Sequence, residues 1–367
     1  MSARYQLDLA TPADDPALRA LFRENPMGTT MRVAFEREPD FFHAAQVQGE
    51  FVQVGVAREG VRVVGVGTRA VSAAFVNGAP QSLGYLGDLR AAAHVRGGTL
   101  VARGYRLLRA WHADARTRLY TTVIFADNTT ALRTIAAGRA GLPTYRDCGE
   151  LLCPGVNLRG RLPDIACGCE IARGDSAALP EIIECLHRSN RRRHFAPVHR
   201  AEFFAPGGRW RDFRVEDFYV ARRAGRIVGV LGRWDQRGFK QTRVTGYGGA
   251  LHWLRPLANA AAPLFGTPRL PRPGAKLPFF HACFAAVDDD NPDVFRALLR
   301  RLYNDATGSQ FAWFIIGFHA RDPLAAALRD YTLTPFRARL FCVVFPEDEP
   351  AFRELDDRLP HLEPALL

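Results

Sequence analysis

The residues of this 367-residue chain best placed to do chemistry form a short run, Val95-Arg96-Gly97-Gly98, between a strand pattern and a helical one. Ser82 to Ala91 reads as a strand. From Thr99 to about Ala113, Val101, Tyr105, Leu108 and Trp111 recur at helical intervals. A glycine-rich loop at a helix start suits a phosphate. The first-turn N–H groups are unpaired, the positive end of the helix dipole faces the anion, and glycine lets the backbone approach closely. Arg96 adds a planar fork of donors suited to the same anion. A comparable position later in the chain has the opposite chemistry. There Asp288-Asp289-Asp290-Asn291-Pro292-Asp293 precedes a helix over Pro292 to Tyr303, with Asn291 as N-cap and Pro292 as first helical residue. Its carboxylates serve the dipole themselves and repel a phosphate, by about 4 kcal/mol per unit-charge contact at ~4 Å and an effective dielectric of ~20.

These two loops sit in similar surroundings. Arg4 to Leu9 alternates like a strand, and Asp14 to Phe22 has helical spacing. Phe51 to Ala57 and Val61 to Val66 flank the hairpin signal Arg58-Glu59-Gly60. Leu119 to Phe125 is an apolar strand, Asp127-Asn128 starts a helix through Leu132 and Ile135 to Gly138, and a strand lies near Glu150 to Cys153. The order restarts with a strand at Cys169, a helix over Ser176 to His187, a hairpin over Phe218 to Val230, a strand over Phe279 to Val287, the helix from Pro292, a strand over Phe311 to Phe318, a helix over Asp322 to Leu328, and a closing strand over Ala338 to Phe345. An element order that occurs twice predicts a degenerate internal repeat. The expected division is a first domain over 1–153, a Gly-, Pro- and Arg-rich linker over 154–165, a second domain over 166–348 with an insertion at 246–278, and a tail over 349–367.

Composition bounds the partners. Hydrophobic content is 47% and charged content 24%, ordinary globular values. No apolar run reaches the 18 or so residues of a membrane span, and no apolar leader is apparent, so a soluble, cytoplasmic protein is expected. Seven scattered cysteines fit reduced thiols, and Cys167-Gly168-Cys169 has no matching second pair, so no metal is expected. The formal charge of +11 comes almost wholly from arginine, since Lys240 and Lys276 are the only lysines. Its spread along the chain, apart from Arg191-Arg192-Arg193, argues against a nucleic-acid module.

The stretch Tyr85-Leu86-Gly87-Asp88-Leu89-Arg90-Ala91 through Arg96-Gly97-Gly98-Thr99-Leu100-Val101 resembles the GNAT superfamily of acyl-CoA-dependent N-acetyltransferases, in which a strand leads through an [Arg/Gln]-x-x-Gly-x-[Gly/Ala] loop into a helix. Thr99 and Val101 depart from the small residues usual there. Asn128 and Ala131 resemble the family's second signature, whose later tyrosine is here Ile135. The resemblance implies two tandem α/β domains with mixed sheets, of which only the first binds CoA. It implies Leu89, Arg90, Ala91, Arg96, Gly97, Gly98, Thr99, Leu100, Val101, Asn128 and Ala131 as the acyl-CoA site, with a backbone N–H near Leu89 or Arg90 polarising the thioester carbonyl. The implied activity is transfer of an acetyl or other acyl group from acetyl-CoA or another acyl-CoA to a small-molecule amine. Asp88 is the candidate base, weighed against an ion pair with a nearby arginine, and His43, His94 and His112 are further candidates. The second domain is expected to shape the substrate cleft through Arg191, Arg192, Arg193, His194 or the insertion. The alternative is a non-catalytic acyl-CoA-binding or regulatory protein on the same fold.

Overall fold

A computed structural model describes residues 4–96, 99–135, 142–265 and 269–367. The first half forms strands β1 (Gln6–Leu9), β2 (Met31–Glu36), β3 (Phe51–Glu59), β4 (Arg62–Val76), β5 (Ala79–Ala91), β6 (Tyr120–Phe125) and β7 (Thr144–Leu152). Its helices are α1 (Asp15–Glu24), α2 (Phe41–Ala45), α3 (Leu100–His112) and α4 (Thr129–Ile135). The second half opens with β8 (Gly155–Asn157), β9 (Glu170–Arg173) and helix α5 (Leu179–Asn190). Then come β10 (Arg193–His194), β11 (Ala196–Pro197), β12 (Phe218–Arg223), β13 (Arg226–Trp234), β14 (Gln241–Tyr247) and helix α6 (Leu251–Phe265). The chain finishes with β15 (Phe279–Val287), α7 (Pro292–Ala306), β16 (Trp313–Ile315), β17 (Phe318–His319), β18 (Leu333–Thr334), β19 (Arg337–Val344), α8 (Glu349–Arg353) and β20 (Leu359–Pro360).

Two mixed sheets carry the molecule. The first runs β1-β3-β4-β5-β6-β19-β7-β17, with β11 beside β4, and the second runs β18-β8-β16-β15-β13-β12-β9. Alternation along β3 explains how helices attach to the first sheet. Val54 and Val56 share one buried cluster with Leu18, Leu21 and Phe22 of α1. Gly55 points the other way, where a Cβ would lie 2.8 Å from Trp111 of α3. The two helices therefore cover opposite faces. In the second half α7 buries Val294, Phe295, Leu298, Leu299 and Leu302 against its sheet.

The sheets divide the chain differently from the continuous segments expected. Strand β19, expected to close the second domain, lies between β6 and β7 of the first sheet, antiparallel to both. The 154–165 segment is more than a linker, because β8 lies between β16 and β18 of the second sheet. The first sheet thus takes β11, β17 and β19 from the second half. Beta-strand pairing is set by which edge offers free N–H and C=O groups, and local sequence does not say which edge is nearest. The element just before the expected insertion also crosses between halves. Strand β14 pairs antiparallel with β2 of the first half, and Arg243 grips Glu36 through two bonds of 2.7 and 3.0 Å. The tail is built in as well, since β20 pairs with β10.

Candidate functional site

In each sheet the central parallel pair touches briefly and then splays. Strands β5 and β6 pair only at Gly84–Tyr120 and Tyr85–Thr121. A Cβ on Gly84 would lie 2.1 Å from the Tyr120 ring, so a glycine is needed for the strands to meet there. Strands β15 and β16 likewise pair over Phe279–His281 and then part. Both long strands carry the same irregularity just beyond. Three residues of β4, Val66 to Thr68, face four of β5, Arg90 to Gly87, and Asp88 takes φ +53°. Three residues of β13, Val230 to Gly232, face four of β15, Ala286 to Cys283, and Phe284 takes φ +53°. These matching β-bulges re-aim the backbone at equivalent points, and they make Asp88 and Phe284 structural counterparts. Nothing in residue identity signalled that.

The two wedges have opposite fates. The first opens into a cavity of about 960 Å³ lined by both halves of the molecule, at the upper end of the range for ligand sites. The second is filled. Glu363 reaches in and accepts hydrogen bonds from the backbone N–H of Phe284 at 2.7 Å and of Ala365 at 3.2 Å. Pro364 packs where a Cβ on Gly317 would lie 2.2 Å away. A cavity of only about 20 Å³ remains between Ala282, Ala285, Ile316 and Glu363. Burial of Glu363 raises its carboxyl to about 7, against the lowering effect of the two N–H donors.

The helix starts repeat the contrast. Thr99 precedes α3 without a side-chain cap, and the first intrahelical bond runs from Arg103 N–H to Thr99 O. The opening N–H groups of α3 thus have no side-chain acceptor among the described residues. Helix α7 is capped by Asn291, whose side chain accepts from the N–H groups of Asp293 and Val294. The acidic loop before it is neutralised by arginines. Asp288 pairs with Arg188 at 3.0 Å and with Arg226 at 3.2 Å, and Asp290 pairs with Arg192 at 2.5 Å and Arg193 at 2.9 Å. Arg192 and Arg193, expected to reach toward a substrate, are spent on this loop, and His194 is buried against Asp356. From the 246–278 insertion, Ala258, Arg269, Leu270 and Leu277 do line the first cleft.

Of the residues singled out from sequence, Asp88, Leu89, Arg90, Ala91, Leu100, Val101, Asn128 and Ala131 all line the open cleft. Gly97 and Gly98 lie outside the described residues. Arg96 turns back on the protein, donating from Nε to Ala91 O at 3.0 Å and from Nη2 to Asn25 Oδ1 at 2.8 Å. Asn128 caps α4, accepting from Ala131 N–H at 3.1 Å. The carboxylate of Asp88 is engaged: Arg37 donates to one oxygen at 3.1 Å and Gln48 to the other at 2.8 Å. The three histidines lie elsewhere. His43 is half-exposed beside Asp40, His94 pairs with Glu59, and His112 is buried between Tyr120 and Asp348.

Several cleft residues had no sequence signal strong enough to find them. Gly104 stands in α3, where a Cβ would meet nothing within 4 Å, so its helix-weakening glycine leaves open space. Tyr105 and Tyr145 hydrogen-bond through their hydroxyls, and burial raises both above the usual phenol range. From the second half come Gln236, Lys240 and His281. Burial lowers the Lys240 ammonium well below its ordinary value and takes His281 to about 3.

No sequence-family model matches the chain, and no curated protein does. Solved structures do. The chain is similar to a GCN5-related glucosamine N-acetyltransferase region of a fungal multi-domain GH3 beta-N-acetylglucosaminidase, with TM-score 0.64 and 10% identity over 93% of this chain. It spans 38% of that protein. It is similar to a GCN5-related N-acetyltransferase from Sphaerobacter thermophilus, with TM-score 0.55 and 12% identity over 94% of this chain and 98% of the other. It is also similar to Saccharomyces cerevisiae N-myristoyltransferase with bound myristoyl-CoA, with TM-score 0.60 and 11% identity over 94% of this chain and 83% of the other.

Proposed function

We propose that this chain, which has the GNAT fold twice in tandem, transfers an acyl group from acyl-CoA to a small-molecule amine through its first copy alone. The observation that carries the reading is the contrast between the wedges: one opens into about 960 Å³ beside an uncapped helix, the other is closed by Glu363 and Pro364. From Gly87 to Ala91 no strand of the described residues pairs with the β6-facing edge of β5, which leaves backbone donors for the pantetheine arm and the thioester carbonyl. The start of α3, with Gly97 and Gly98 before it, would receive the pyrophosphate, and Gly104 leaves room along the helix. The apolar lining beyond the wedge, including Val33, Phe35, Leu277 and Trp313, suits acyl groups longer than acetyl as well as acetyl itself.

In the reaction the amine nitrogen bonds to the thioester carbon, the carbon–sulfur bond breaks, the amine loses a proton and the thiolate gains one. The paired hydroxyls of Tyr105 and Tyr145, kept protonated by burial, are suited to supply the thiolate's proton where Ile135 stands in the family's tyrosine position. Asp88 holds Arg37 and Gln48 at the cleft wall, which favours a positioning part over that of free base. Asp88→Asn separates the two: a positioning part raises the amine KM and leaves the acidic limb of the pH–rate profile in place, whereas a base loses that limb.

Isothermal titration with acetyl-, octanoyl- and myristoyl-CoA tests the reading, followed by thiol release with an amine panel. Absence of binding by all three donors refutes it. Binding without thiol release supports the second reading, a non-catalytic acyl-CoA-binding protein, which the engagement of Asp88 favours.

A further inference from the structure

The cleft is short of negative charge in one corner. Arg37 and Arg90 both line it and both lie against the same ring, their guanidinium carbons 5.5 and 5.2 Å from the centroid of Phe22. The Nε of each is buried with no hydrogen-bond partner. Arg37 at least shares Asp88. Arg90 forms no ion pair among the described residues, and burial lowers its guanidinium from its ordinary value, with Asp88 acting against that and Arg37 with it. Arg69, Arg237, Lys240 and Arg269 bring further basic side chains to the same lining, Lys240 donating to Leu367 O, while Asp88 is the single Asp or Glu among the described lining residues. Buried cations are normally paired, because removal from water is costly without a counter-charge. Two guanidinium nitrogens left unsatisfied at a cavity wall mark the place of an anion that arrives with a ligand.

Which ligand follows from the faces of the sheet. Arg90 pairs with Val66, which clusters with Phe22 on the α1 face. Gly55 and Gly65 meet Trp111 and Leu100 of α3 on the other face. The α3 start, suited to the donor's phosphates, and the Arg37–Arg90 corner are thus on opposite faces, joined through the wedge. We infer that Arg37 and Arg90 seat a carboxylate carried by the acceptor, so that the acceptor is an amino acid. A planar carboxylate matches the guanidinium fork. This rests on the acyltransfer reading above, and its test does not require turnover.

The full-length protein is titrated by calorimetry with the twenty common amino acids and with their carboxamides, each with and without coenzyme A. Binding of at least one amino acid, with its carboxamide at least tenfold weaker, is expected. Arg90→Met should bring the amino acid down to the affinity of its carboxamide, leave the affinity for coenzyme A unchanged, and give a urea midpoint no lower than wild type, since the unpaired charge serves the ligand rather than the fold. The inference is overturned by an absence of amino-acid binding, by equal binding of the carboxamide, or by a tenfold loss of coenzyme A affinity in Arg90→Met, which would assign the arginine to the donor's phosphates. Failure of coenzyme A to bind, with amino-acid binding intact, refutes acyl transfer and leaves the carboxylate seat standing.

Discussion

The buried carboxyl of Glu363 should make this protein less stable as pH rises from acid to neutral, and Glu363→Gln should remove that slope. The group is raised from an ordinary value of 4.5 to about 7 because burial penalises its charge. Below pH ~4.5 both folded and unfolded chains hold the proton and the group contributes no pH dependence. Between ~4.5 and ~7 the unfolded chain releases the proton while the native one keeps it, so native stability falls by about 1.4 kcal/mol per pH unit. Above ~7 the loss levels off, at about 3 kcal/mol for a difference of about 2.5 pKa units. Glutamine cannot ionise. It can still accept from Phe284 N–H, but it loses an acceptor for Ala365 N–H at a cost of about 1 kcal/mol at every pH. The informative quantity is therefore the difference between variant and wild type in urea unfolding at pH 4.5 and at pH 8. That difference should move by about 3 kcal/mol in favour of Glu363→Gln on going to pH 8. Parallel curves, offset by the same amount at both pH values, would refute the assignment of Glu363 as a neutral plug of the second wedge.

Other consequences can be checked as directly. Gly104→Ala should raise the urea stability by about 0.5–1 kcal/mol, because a helix interior gains from the change and a Cβ there meets nothing; Gly104→Leu should weaken acyl-CoA binding at least tenfold in calorimetry. A fragment of residues 1–153 lacks β19, the strand between β6 and β7, and should show no cooperative urea transition by circular dichroism. Tyr145→Phe should lower kcat by about 10–100-fold in a thiol-release assay if the tyrosine pair donates the proton, with the acyl-CoA dissociation constant unchanged.

The local pattern of this protein was set by its own residues. The spacing of Leu18, Leu21 and Phe22 makes α1 amphipathic, and the Asn291-Pro292 pair starts α7 with its side-chain cap. Asp88 to Ala91, Leu100, Val101, Asn128 and Ala131 could be placed at one cleft through the family resemblance of the two motifs they belong to, and all of them line it. What the linear chain could not carry was anything settled by contact between distant segments. Strand β8 is three residues of the expected linker and β19 an ordinary strand-like run, and only the free edges next to them in three dimensions decide that β8 joins the second sheet and β19 the first. The bulges at Asp88 and Phe284 leave no residue signature, since neither position is a glycine. An arginine partner for Asp88 could be weighed from sequence, but only folding shows that Arg37 and Gln48 hold its two oxygens. The tertiary structure also decided which wedge is open: Glu363 and Pro364, far along the chain, close one, while nothing among the described residues closes the other. Charge, burial and cavity are properties of neighbours in space, and sequence spacing fixes only neighbours along the chain.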